Sequence, residues 1–385
     1  MSGKKLNVLF LTKWYPNKLD IQLGVFVRKH AKAAGLFNNV SLIYLFADTE
    51  LSEKYSVKFS KENGFNEYIV LFKKNTSILG GLINPIRYFI VCLKVIKQVK
   101  KEHGKIDLIQ ANMLTRSAFI AWWHCFTQGV PYIIMEHWTG YSSGKYLKQS
   151  FLKKLLGKFI VKRSQKVVVV SHALKKQMQE LGFENSFEVI PNVIENIVPE
   201  KKNPNDLIKI LTVADQYDAH KNISGILHLV KKISNDPNLK FHWDIIGGGP
   251  DEYKLREMAN QMNLDQYVSF HGRQTNEYVY EQYKEADFVV INSRLETFSV
   301  VAAEALVNGK PIVTTICGGP EEFVTEAQGI LIKKDDPELL EMAVRKMIKE
   351  CHHFDPVALN SYAMSLFSYE KIGEHFNNLY QEAII

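Results

Sequence analysis

Short apolar runs rich in β-branched residues recur along this 385-residue chain with helical segments between them, and part-way along the series starts again. The first set comprises residues 7–12, 40–46, 68–72, 106–110, 132–136, 166–171 and 187–191. Near-continuous apolar strands alternating with helices belong to parallel sheets covered on both faces, so this half predicts a doubly wound α/β domain. After a polar, Pro-containing stretch at 199–206, the runs 208–214, 241–247, 268–272, 287–292, 311–315 and 329–332 predict a second such sheet. The length suits two domains, 1–196 and 197–368, better than one core. Ligands of open α/β sheets bind beyond the carboxyl ends of the strands, so two such domains are expected to face one another across a cleft that holds the site.

Charge and cysteine usage narrow the function classes. Residues 1–196 carry 29 Lys and Arg against 13 Asp and Glu, while the remainder carries 19 against 28, so the halves present surfaces of opposite sign. No acidic residue occurs between His137 and Gln179. Within that stretch, residues 145–166 interleave seven lysines and Arg163 with Phe151, Leu152, Leu155, Leu156, Phe159 and Ile160. This basic amphipathic pattern suits either a helix packed on the core or peripheral contact with an anionic membrane, and a second basic segment at 87–105 favours the membrane. No nucleic-acid-binding motif accompanies the charge, so a nucleic-acid partner is not expected. The apolar stretch at 8–11 is too short for a signal-peptide core, and the apolar segment 118–135 is interrupted by His124, Gln128, Gly129 and Pro131. The four cysteines lie far apart without CxxC spacing and read as reduced thiols. Together these predict a cytoplasmic protein, peripheral on the inner face of the cytoplasmic membrane.

The most informative segment is 286–322. It reads as a strand, a loop with Glu296, Thr297, Phe298 and Ser299, a helix with Val300 and Glu304, the turn Gly309-Lys310-Pro311, a strand, and a loop with Gly318-Gly319. The pair Glu296 and Glu304, seven residues between them, with the following Gly-Lys-Pro and Gly-Gly, closely resembles the donor-site signature of glycosyltransferase family 4, the group 1 retaining transferases. That resemblance implies the GT-B fold and a nucleotide-sugar donor. It also implies that the C-terminal helix, 369–385, packs back on the first domain. A helix beginning near Ser299 presents free N–H groups and the positive end of its dipole, which suit a diphosphate. Glu296 and Glu304 would then lie on the order of 10 Å apart at 1.5 Å rise per helical residue, with the diphosphate between them. Glu296 would accept from the sugar hydroxyls and Glu304 from the ribose, as the resemblance also implies.

Other segments carry the likeness further. In the family, the loop after the first strand of the second domain has an Arg followed by a Lys that neutralise the donor phosphates. Lys221 matches the Lys, but Asp215 or Gln216 stands where the Arg belongs, leaving Arg294, Arg273 or Arg28 to compensate. Residues 245–250 resemble the family's G-x-G-P turn, and 268–274, with Arg273 and Gln274, resemble the segment that contacts the nucleotide base. In the first domain Gly24, after Trp14-Tyr15-Pro16, resembles the N-terminal loop whose backbone approaches the donor phosphates, and His137 matches the position that hydrogen-bonds the transferred sugar. The family usually has Gly where Thr297 and Ser299 stand.

These readings converge on retaining transfer of a hexosyl group from a nucleotide diphosphate sugar to a hydroxyl acceptor, a lipid-linked or polysaccharide precursor of envelope glycans. His137, Lys221 and Glu296 would serve catalysis. Gly24, Arg273, Gln274, Thr297, Phe298, Ser299, Val300 and Glu304 would bind the donor. The sequence has no Asp-x-Asp and no clustered His, Cys and carboxylate set, so neither a metal nor a separate cofactor is expected. Two other readings share the architecture: a sugar-nucleotide epimerase, and a non-catalytic nucleotide-sugar-binding subunit, the latter suggested by Asp215.

Overall fold

The computed structural model describes residues 5–62, 64–200 and 207–384; most of the polar stretch expected to link the domains, 201–206, lies outside the described residues. The chain divides into two compact units, Met1–Val193 with Tyr369–Ile385, and Ile194–Ser368.

In the first unit the chain runs β1 (Asn7–Thr12), α1 (Val25–Phe37), β2 (Asn39–Asp48), β3 (Tyr55–Glu62), β4 (Phe65–Lys73), α2 (Gly80–His103) and β5 (Leu108–Asn112). It continues through α3 (Arg116–Gln128), β6 (Tyr132–Glu136), α4 (Phe151–Arg163), β7 (Val167–Val169), α5 (His172–Glu180) and β8 (Phe187–Val189). The eight strands lie in the order β3-β4-β2-β1-β5-β6-β7-β8. All neighbours pair in parallel except β3 and β4, which form an antiparallel hairpin. The sequence reading did not contain β3. Its outer position lets it be largely polar, whereas β1, β5 and β6 are buried almost throughout because helices cover both faces. The hairpin turn needs Gly64 at φ 70°, where a Cβ would fall 1.9 Å from the Gly35 carbonyl oxygen.

The second unit runs β9 (Ile208–Val213), α6 (Asp218–Lys221), α7 (Ile223–Ile233), β10 (Phe241–Ile246), α8 (Glu252–Gln261), β11 (Val268–Gly272), α9 (Asn276–Glu285) and β12 (Phe288–Ile291). Then come α10 (Val300–Val307), β13 (Ile312–Ile316), β14 (Gly329–Lys333), α11 (Pro337–Glu350) and α12 (Pro356–Phe367). Its six strands, in the order β11-β10-β9-β12-β13-β14, are all parallel. Helix α7 buries Ile223, Ile226, Leu227, Val230 and Ile233, the 3–4 spacing of one helical face, against the fully buried Trp243 and its neighbours. The Trp243 indole N–H is satisfied by the Thr212 hydroxyl at 3.0 Å. Helix α11 starts where the Asp336 carboxylate accepts from the Leu339 N–H, with Pro337 at the first helical position.

The last helix, α13 (Tyr369–Ala383), belongs to the first unit and packs along α1. Phe376 meets the ring of His30, and the Tyr380 hydroxyl donates to Gln110 Oε1 at 2.6 Å. In each sheet the strand that begins the unit, β1 or β9, sits inside the sheet with a neighbour on either side, which is the switch point where such sheets open a crevice.

Candidate active site

In the second unit, β9 and β12 are hydrogen-bonded neighbours, so the loops leaving their carboxyl ends emerge side by side. This is why Lys221 and Glu296, 75 residues apart, meet. The Lys221 Nζ donates to Glu296 Oε1 at 2.6 Å, and the Ser293 hydroxyl donates to the same oxygen at 2.8 Å. Burial pulls the Lys221 ammonium down, but the charge and hydrogen bond of Glu296, joined by Asp215, outweigh it and hold the group above its ordinary range. Lys221 is therefore a permanent cation at neutral pH, and it is already balanced by a carboxylate.

Beyond Glu296 the backbone turns sharply. Ser299 adopts φ 69°, ψ 79°, left-handed geometry that a side chain tolerates poorly and glycine accepts freely. It is buried, and its hydroxyl has no hydrogen-bond partner among the described residues. The amides of Thr297, Phe298, Ser299 and Val300 likewise find no partner there and open α10. The Phe298 side chain points elsewhere, into an apolar cluster with Phe323 and Phe367, so only its backbone is offered. Gly319 packs so closely on that backbone that a Cβ would lie 2.7 Å from the Phe298 carbonyl carbon. Glu304 is half-buried on α10 beside Tyr280 and Tyr283 of α9; burial first, then the Glu304 charge and hydrogen bond, raise the Tyr283 hydroxyl far above its usual range.

The loops after β9, β10 and β11 complete this side. Gly247 and Gly249 let residues 246–251 lie against 214–216: Cβ atoms there would come within 1.9 Å of the Ala214 carbonyl oxygen and 2.4 Å of the Gln216 carbonyl oxygen. Of the two residues at the position where the family's arginine was expected, Asp215 and Gln216, Gln216 is fully buried and donates to the Gly247 carbonyl at 2.7 Å, so it staples loops together. Of the three arginines considered as replacements, Arg294 is clasped by Asp335 at 2.6 Å, the Asp218 carbonyl and Asn222, and Arg28, in the first unit, by Glu67 and Glu62. Arg273 is exposed, its Cβ 3.3 Å from where a Cβ on Gly248 would stand. The Gln274 amide donates to the His271 carbonyl at 2.7 Å and so holds the turn.

The first unit brings Gly24 and His137 into one neighbourhood. Gly24, at φ 68°, presses on the Trp14 carbonyl and starts α1, which carries Phe26 to within 4.3 Å of the His137 ring, centroid to centroid. His137 is buried, and both ring nitrogens lack a partner among the described residues. Burial above all, then the neighbouring His30, holds its imidazole neutral, well below the usual range. Its main chain is set by Glu136, a residue to which sequence reasoning gave no role. That buried carboxylate accepts from the amides of Leu114, His137 and Trp138 and from the Tyr141 hydroxyl, at 2.9–3.1 Å. Glu321 was missed as well: it accepts from the amides of Cys317, Gly318 and Gly319 and shapes the glycine loop. Its place two residues after Gly319 was the only available signal.

With this geometry in view, the family assignment is direct. Residues 193–356 match the family of glycosyl transferases group 1, and residues 39–196 match glycosyltransferase family 4. The chain belongs to the group 1, family 4 glycosyltransferases. It is 24% identical over 299 residues to an uncharacterized glycosyltransferase of Methanocaldococcus jannaschii, covering 77% of this chain and 81% of that one. A lipopolysaccharide core biosynthesis glycosyltransferase, LpsD of Rhizobium meliloti, is 26% identical over 190 residues, 48% of this chain and 53% of its own. Among solved structures, HepE of Anabaena in complex with UDP-glucose superposes with a TM-score of 0.72 at 18% identity, covering 98% of this chain and 99% of that one, which establishes the GT-B fold. The glycosyltransferase is an enzyme of two parallel-sheet α/β units with the β3 hairpin added. Among the described residues no helix is long and apolar enough to cross a membrane, and no His, Cys and carboxylate group is disposed to hold a metal.

Proposed function

We propose that this glycosyltransferase moves a hexosyl group from a nucleoside diphosphate sugar to a hydroxyl acceptor with retention at the anomeric carbon, without a divalent metal. The observation that carries the reading is the Lys221–Glu296 pair standing before four unpartnered amides at the start of α10. A diphosphate takes those N–H groups and the nearby ammonium, which stabilise the charge that develops as the anomeric carbon–oxygen bond breaks. Glu296, released in part from Lys221, accepts from the sugar hydroxyls, and Glu304 from the ribose. Neutral His137 donates to a hydroxyl of the transferred sugar and positions it. The acceptor oxygen attacks the same face that the diphosphate leaves; a new carbon–oxygen bond forms, and the acceptor proton passes to the departing phosphate oxygen. HepE, bound to UDP-glucose, supports a nucleotide-sugar donor, and LpsD, in lipopolysaccharide core biosynthesis, supports an envelope-glycan acceptor, which we take to be a lipid-linked or polysaccharide precursor.

The test is product analysis with UDP-, GDP- and ADP-sugars and an acceptor panel, in chelator. Transfer with retention is expected, and Lys221→Ala should lower kcat on the order of 10²-fold. Glu304→Ala should mainly raise the KM for donor. Conversion of donor into an epimer without acceptor would replace this reading with an isomerase, and donor binding without turnover would make the chain a non-catalytic subunit.

A further inference from the structure

The first unit contains a cavity of about 720 Å³ that no step above uses. That volume falls in the range of small-molecule sites. The cavity lies at the carboxyl ends of β1, β5 and β6, between the N-terminal half of α2, the start of α3 and one face of α4. Its walls are largely apolar, with Ile86, Phe89, Phe119, Ile120, Leu156 and Ile160 among them. Its charged lining residues are Lys13, Arg116 and Lys153, all exposed; among the described residues no carboxylate lines it. Arg116 is steadied over the Tyr88 ring, 5.7 Å to its centroid, and none of the three cations is paired with a carboxylate among the described residues. Tyr146 also lines the cavity, and its hydroxyl is buried without a partner among the described residues. A buried, unanswered hydroxyl in an apolar wall costs free energy unless a ligand satisfies it.

Apolar walls alone would suit any hydrophobe. Three unpaired cations around them do not, because the lost hydration of such a rim is recovered only by an anion. The surface beside the cavity adds direction. Leu82 on α2 and Phe151, Leu152 and Leu155 on α4 are 71%, 75%, 74% and 55% exposed, next to Ile86 and Leu156 of the lining. A chain leaving the cavity therefore stays on apolar surface.

We infer that this cavity holds a phosphate-bearing lipid, its apolar chain between α2, α3 and α4 and its phosphate among Lys13, Arg116 and Lys153. The inference rests on the proposed transfer for one point only, that this lipid is the acceptor. Gly157 of α4 supplies a way to close the cavity: it is buried in the lining, and a Cβ there meets only the flexible Leu114 side chain, at 3.3 Å.

The experiment titrates the full chain with farnesyl diphosphate, farnesol and inorganic pyrophosphate, following heat release and the fluorescence of Trp138 on the cavity wall. Farnesyl diphosphate should bind at least tenfold more tightly than either part. Gly157→Leu should weaken it by tenfold or more, and so should the surface pair Arg116→Ala with Lys153→Ala, which leaves the fold intact and erases the preference over farnesol. Equal affinity for farnesol, or undiminished binding in both the Gly157 and the cation variants, would overturn the inference. Titration with UDP, GDP and ADP in parallel separates the two readings. Nucleotide binding without farnesyl diphosphate binding removes the lipid site alone, and the reverse removes the donor assignment while the cavity stands.

Discussion

At the scale of single residues, the site is built from groups kept in costly states. Ser299 holds a left-handed backbone that costs on the order of 1–3 kcal/mol for a side-chain-bearing residue, and it buries a hydroxyl with no partner among the described residues. A conformation retained against that cost is one the surrounding loop imposes, and here it aims the amides that open α10. Ser299→Gly should therefore be at least as stable as the parent, since relief of strain offsets the added freedom of the unfolded chain, and it should keep nucleoside diphosphate affinity. Ser299→Val should lose about 1–3 kcal/mol of stability and bind nucleotide tenfold or more weakly, because β-branching is least compatible with positive φ. Urea denaturation and calorimetry on the two variants check this. A stable, nucleotide-binding valine variant would mean that the turn is not imposed. Lys221 and Glu296 carry the same lesson electrostatically: the carboxylate holds the ammonium charged in a poorly solvated place, so a donor must compete with the pair before using it.

At the scale of elements, legibility followed periodicity. The strands at 7–12, 132–136 and 268–272 stand where their apolar runs lie, and α10 starts at Val300, after Ser299, because strand and helix periods are local properties. The hairpin strand β3 escaped because its alternation of Tyr55, Val57 and Phe59 is short, polar residues follow it and no residue of it is fully buried, so it lacks the near-continuous apolar run of the inner strands. The Lys221–Glu296 contact escaped for a related reason: it follows from β9 lying beside β12, a tertiary fact no spacing encodes. Helices α1 and α13 illustrate what packing adds. Between them His30 is fully buried, its Nε2 2.9 Å from the Pro191 carbonyl oxygen and its ring against Phe376. Burial, the largest influence, with a smaller push from Lys29, lowers it to about 4, despite the opposing hydrogen bond. The unfolded chain then binds one more proton than the folded one between pH ~6.5 and ~4, so stability is fully present above that window and falls by about 1.4 kcal/mol per pH unit as acid is added within it. Neutral His137 acts in the same direction. His30→Gln should flatten this dependence by one proton in urea titrations between pH 6.5 and 5, and parallel curves for the two proteins would show that His30 is protonated in the fold.

For the molecule as a whole, the excess of Lys and Arg over Asp and Glu in residues 1–196 gives the glycosyltransferase a basic surface that neither strand periodicity nor the donor motif required. The charge coincides with apolar exposure: Leu147, Phe151, Leu152 and Leu155 stand out of the same stretch as Lys145, Lys148 and Lys153. A surface with only lysines would bind anionic vesicles weakly and lose them in salt, and one with only apolar groups would bind zwitterionic vesicles equally well. The combination predicts an order. Vesicles containing anionic lipid should sediment with the protein at low ionic strength, zwitterionic vesicles should do so far less, and 1 M salt, where the Debye length is only about 3 Å, should release most but not all of it. Each lysine near such a surface contributes about 1 kcal/mol, so Lys145→Gln with Lys148→Gln should weaken binding roughly 30-fold at low salt. Phe151→Ser with Leu152→Ser should instead remove the salt-resistant fraction, since that part depends on apolar burial. Indifference to lipid charge at low salt would show that the basic half meets something other than a membrane, and would leave the acceptor to be sought among free glycans.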